Sequence, residues 1–240
     1  MLIRSLELLF ENPWTFVTVF STFLATAGVA LLVAITVHEF SHAALAYSMG
    51  DFTAKRLGRL SLNPIRHLDP IGTIMLLLVG FGWGKPVPVN PHNLHAFDRG
   101  RFAMALVSAA GPMANLITAY ICAVPIRIGL VPWHSPLIFR SIQAQGPSGL
   151  LADILGLIIF FNITLAIFNL IPLFPLDGSK VAIGILPSRI ANSFARWESA
   201  GPIILLGIIM LDWITDLNLL WGVLRPVVNM VGYVVLGHAI

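Results

Sequence analysis

Apolar positions in this chain run in long unbroken blocks, not in the alternation of half-buried strands. The first block covers Trp14 to Tyr47, 34 residues. As one helix it would measure about 51 Å at 1.5 Å per residue, longer than a hydrocarbon core of about 30 Å. It therefore protrudes from a bilayer or breaks near Gly28, and Met49-Gly50-Asp51 marks its stop. Further long blocks follow at about 102–124, 150–174 and 202–221, with a shorter apolar tail from residue 227. The apolar stretch 71–84 is only 14 residues long and ends in glycines, which predicts a re-entrant or interfacial segment. Polar residues 52–69 contain two short alternating runs and predict a small β-hairpin or sheet. KPVPVNP after them reads as an extended, proline-spaced segment. The pattern predicts an all-α polytopic membrane protein with about four to six transmembrane helices. With no linker, repeat or low-complexity tract, residues 1–240 read as a single domain.

Composition agrees with that pattern. Hydrophobic residues make up 57% of the chain and charged residues only 10%, against about 25% in an average soluble domain. Mean hydropathy is +0.87. A transmembrane β-barrel is excluded, because its apolar positions would alternate. The net charge of +3 does not indicate a nucleic-acid partner. The basic residues lie mostly between the apolar blocks, where they orient the protein. If the first span exits to the cytoplasm, ten of the fourteen basic residues fall on that side. The N-terminus is then expected outside, in a multi-pass protein of the cell membrane. The opening residues, with Glu7 and Glu11 and no small-residue cleavage site, do not read as a removable signal peptide. A single cysteine, Cys122, rules out an internal disulfide and a cysteine-based metal site.

The chemistry sits at the end of the first block, in HEFSH. His38 and His42 are four residues apart, so a helix projects both rings from one face, where they can share a zinc ion. Glu39 is next to them and is placed to take a proton from water and later pass one to a leaving amine. Three ionisable side chains within five residues of an apolar helix are costly in a membrane, and a dication compensates them. A zinc hydrolase site needs a third protein ligand and an open position. Asp177 in FNLIPLFPLDGSK is the best candidate: Pro172 and Pro175 interrupt the helix, and Gly178 permits a tight turn. Asp-Gly is also a common turn pair, so the residues alone leave both readings open.

Three stretches together, HEFSH, GPMAN (111–115) and NLIPLFPLDG (169–178), resemble the site-2 protease family of intramembrane zinc metalloproteases. GRLSLNPIRHLDPIGT and GFGWGKPVPVNP resemble its compact prokaryotic branch, which has no PDZ module. The resemblance covers roughly residues 30 to 187. It implies that His38, His42 and Asp177 hold Zn2+, that Glu39 is the base, and that Asn115 lies near the site. There Asn115 would bind substrate backbone or, alternatively, form an interhelical hydrogen bond beside the small residues Gly111 and Ala114. Asn169 would support the loop carrying Asp177. The expected substrates are transmembrane segments of other proteins in the bilayer, held extended by an edge formed from residues 52–69. His67 and Asp69 read as a supporting pair or as a turn and helix cap. His92, His95, His134 and His238 receive no role. Two other classes compete: an inactive membrane scaffold, and an ion transporter using Glu39 and Asp177. The intact ligand set argues against the first, and the paired histidines argue against the second.

Overall fold

The computed structural model describes residues 13–73, 82–95, 100–135, 146–215 and 217–237. Its longest element is α1, Pro13–Ser48, an uninterrupted helix that passes Gly28 without a break. At 36 residues it is about 54 Å long, so it extends beyond any hydrocarbon core. After α1 come a single turn of helix, α2 (Thr53–Arg56), then α3 (Arg101–Arg127) and α4 (Gly146–Asn169). Two short helices, α5 (Asp177–Ile185) and α6 (Ser188–Ala195), lead to α7 (Gly201–Thr215) and α8 (Leu219–Leu236). Among the described residues, four helices are long and apolar enough to cross a membrane: α1, α3, α4 and α8. α7 is apolar but shorter.

α1, α3 and α4 pack against one another, and small residues line the seams. Ala30 and Ala34 of α1, Ala119 and Ala123 of α3, and Ala152 and Ala166 of α4 are fully buried. Lipid removes the hydrophobic drive for helix association, so close backbone approach through small residues supplies the packing. α8 covers α3 and α4 with Leu224, Val228 and Val235. At one end of the bundle, Arg127 at the end of α3 donates to the carbonyls of Val234 and Val235 near the end of α8. At the same end, His134 Nδ1 lies 2.8 Å from Asp153 on α4.

The expected β-hairpin over 52–69 is not formed, and the described residues contain no strand. Residues 52–66 are α2 followed by a 3-10 turn at Pro64–Arg66, capped by the Asn63 side chain on the Ile65 amide. The segment makes one isolated antiparallel bridge, Leu68 to Gly84. Proline explains the difference: Pro64, Pro86 and Pro88 lack the N–H that a ladder needs, and Asn63 offers the backbone a local bond instead. Asp69 proves to be a cap, its carboxylate accepting the Gly72 amide. His67 is buried and donates from Nε2 to the Ser61 carbonyl. Residues 74–81, the middle of the expected re-entrant segment, and His238 lie outside the described residues.

Candidate metal centre

His38 and His42 sit on the last third of α1, and α1 ends six residues beyond His42. That places His42 about 9 Å and His38 about 15 Å inside the helix end. Their ring centroids are 4.7 Å apart and the rings are nearly perpendicular. Asp177 opens α5, at the positive end of that helix, after the turn that Pro172 and Pro175 impose. The chain folds back so tightly there that a Cβ on Gly178 would fall 2.3 Å from the Leu170 carbonyl oxygen. Only glycine fits that position.

The two rings converge on one carboxylate oxygen. Nε2 of His38 is 3.0 Å from Asp177 Oδ2, and Nε2 of His42 is 3.1 Å from the same atom. Their other nitrogens meet acceptors. Nδ1 of His42 donates to the Val107 carbonyl at 2.7 Å. Nδ1 of His38 lies 2.6 Å from Asn115 Oδ1. The Asn115 amide has only one sensible orientation, because its Nδ2 donates to the Ala34 carbonyl at 2.9 Å and to Asn162 Oδ1 at 2.7 Å. Asn162 is fixed in turn by donating to the Ile158 carbonyl. Both imidazoles thus carry their proton on Nδ1, and each neutral ring presents a lone pair at Nε2.

Three acceptors facing one point repel unless a cation lies between them. That is the test a metal site must pass, and these residues pass it. The three ligand atoms lie within 4.8 Å of one another. Two imidazoles with a carboxylate form a zinc donor set, and the hydrogen bonds behind the rings are the support that orients metal-binding histidines. Room is left by Gly111 of α3. A Cβ there would lie 2.5 Å from His42 Nε2 and 2.8 Å from His38 Cε1.

Glu39 lines, together with His38, a cavity of about 690 Å3. Its carboxylate accepts the Val87 amide at 2.9 Å. The cavity runs along α1 from Gly28 through Ile35 to His38 and Glu39, and α7 closes it with Leu205 and Ile209. Its wall is almost entirely apolar.

The structure brings together His38, Glu39, His42, Asp177 and Asn115. Asn115 is fully buried and does not line the cavity. Its amide groups bond His38 and the Ala34 carbonyl of α1 and Asn162 of α4. Asn169 lines the cavity but bonds the Leu165 carbonyl of its own helix. Sequence reasoning missed Asn162, the Val107 carbonyl and the Val87 amide. An asparagine in the middle of the apolar run FFNITL was a usable signal for Asn162, because a buried amide in a span requires a partner. The two backbone groups left no signal in residue type.

Comparison with known proteins agrees with this centre. The family model of peptidase family M50 matches residues 26–211. The chain is 42% identical over 184 residues to "Putative zinc metalloprotease YwhC" of Bacillus subtilis (strain 168), a match covering 74% of this chain and 77% of that protein. It is 31% identical over 173 residues to "Putative zinc metalloprotease Rip2" of Mycolicibacterium smegmatis, covering 70% of this chain and 58% of the relative. A Rip2 of Mycobacterium tuberculosis is also 31% identical, over 163 residues, covering 65% of this chain and 57% of that protein. No solved structure matches the chain. With the family model covering well over half of its length, the chain belongs to peptidase family M50, the site-2 protease family.

Proposed function

We propose that this protein is an intramembrane zinc endopeptidase that cuts peptide bonds within or next to transmembrane segments of other membrane proteins. One observation carries the reading: two Nε2 lone pairs and a carboxylate converge where His38 and Glu39 line an apolar cavity. His38, His42 and Asp177 hold the metal. When bound, zinc polarises a carbonyl and makes water a stronger acid. The chain's own residues do the rest. Asn115 and the Val107 carbonyl hold the imidazoles in the tautomer that leaves Nε2 free. The Val87 amide holds the Glu39 carboxylate by one oxygen, which leaves the other to take a proton from water and to return it to the departing amine. The apolar cavity wall admits the side chains of a membrane segment and keeps bulk water out. The site faces the cytoplasmic side of the cell membrane, the side that carries most of the basic residues.

The test uses a reporter peptide, one apolar transmembrane segment with a central Gly-Pro and a flanking fluorophore and quencher, in detergent micelles. The wild-type protein is expected to cleave it, and a chelator to stop cleavage. Glu39→Gln is expected to lower the rate at least a thousandfold while the protein keeps its zinc. Cleavage that survives Glu39→Gln contradicts the mechanism.

A further inference from the structure

Glu39 owes its position to a strap, residues 85–95, that crosses the end of α1, and the strap is tied down by side chains with no place in the metal centre. Its first residue is held by the Lys85 amide on the His67 carbonyl, at 2.8 Å. The buried Arg59 donates to the Lys85 and Pro86 carbonyls at 2.8 and 3.2 Å. At the far end, the His95 amide donates to the Met49 carbonyl at 2.8 Å. Between them the strap has few hydrogens to offer, because Pro86, Pro88 and Pro91 have none on nitrogen. The Val87 amide goes to Glu39.

Asp51 makes the remaining tie. Its carboxylate is fully buried three residues beyond the end of α1. One oxygen accepts the Asn90 amide at 2.7 Å. The other accepts Asn93 Nδ2 at 3.0 Å and the Thr53 amide and hydroxyl at 3.1 and 2.5 Å. Two of these four donors, from Asn90 and Asn93, join the end of the HEFSH helix to the strap across about forty residues of sequence, and the two from Thr53 fix the carboxylate locally. A carboxylate is the side chain suited to this, since both its oxygens only accept and Asn90 and Asn93 turn donors toward it.

We infer that Asp51 is a positioning residue for proteolysis: it fixes the strap so that the Val87 amide holds Glu39 in its working orientation. Asp51 does not touch the cavity or the metal ligands. It acts through the backbone of the strap. The inference rests on the reading of Glu39 as the base.

A double-mutant cycle on the reporter peptide tests it. Val87→Pro removes the one amide hydrogen that Glu39 receives, in a segment already extended by proline. Asp51→Asn replaces an acceptor with a donor against the strap. Each change is expected to lower kcat about a hundredfold, the scale of a 1 Å misplacement, with KM within about twofold and zinc content unchanged. The double variant is expected to be no slower than Val87→Pro alone, because both act through one hydrogen bond. Losses that multiply in the double variant overturn the inference, as does full activity in Asp51→Asn or loss of its zinc. If Asp51→Asn does not fold, Asn93→Ala takes its place in the cycle with a smaller expected loss, and the same non-additivity decides. Glu39→Gln runs alongside: if it remains active, the base assignment fails, whereas an inactive Glu39→Gln with a multiplicative cycle rejects only the role of Asp51.

Discussion

Gly111 shows how much of the centre depends on single atoms. It lies on α3, faces both imidazoles, and has no side chain because none fits: a methyl group would overlap His42 and press on His38. Gly111→Ala is therefore expected to lower zinc affinity at least tenfold, measured by competition with a chelator, while α3 itself gains helix propensity. Unchanged affinity would show that the rings can move aside. At this scale the sequence was informative where chemistry lies in side-chain spacing. His38, Glu39 and His42 are legible because four residues make one helical turn. Asp177 became firm only through resemblance, because Asp-Gly is equally a turn. Asn115 was noticed, but its partner was not. Asn162 reaches it from another helix, and no local pattern records which two buried amides will meet.

Elements were legible in proportion to their length. α1, α3 and α4 follow from continuous apolar runs, and α1 continues unbroken through Gly28. The segment 52–69 was misread because short alternation also suits turns capped by asparagine and interrupted by proline. The strap's prolines are legible in sequence, yet its tie depends on two hydrogen bonds from Asn90 and Asn93 to Asp51, a residue that reads in sequence only as the end of a helix. Burial pushes the Asp51 carboxyl up, but the bonds from Thr53, Asn93 and Asn90 outweigh this and hold it below its ordinary value of 3.8. A carboxyl held low in the folded state binds its proton more weakly there than in the unfolded chain. Its contribution is thus complete above pH 3.8 and is lost as pH falls through the lower, folded value. The unfolding temperature of chelated protein is expected to fall as pH drops below 3.8, and to fall less steeply in Asp51→Asn. Parallel curves would show that this carboxylate is not tied as described.

The whole molecule is a bundle in which three helices pack through small residues and a metal centre sits near one end. The proposed orientation, with that end cytoplasmic, rests on the bias of basic residues toward it. In a Cys122→Ala background, a cysteine at position 55 is expected to react with a membrane-impermeant thiol reagent in inside-out vesicles and not in intact cells. Labelling in intact cells would invert the protein and put the site outside. The proposed ligands come from α1 and from α5, far apart in sequence. Zinc is measured in purified wild-type protein, Asp177→Ala and Glu39→Gln, each with its thermal stability recorded. About one zinc per chain is expected in the wild type and in Glu39→Gln, and almost none in a folded Asp177→Ala. A folded Asp177→Ala that keeps a full equivalent of zinc would contradict this ligand set.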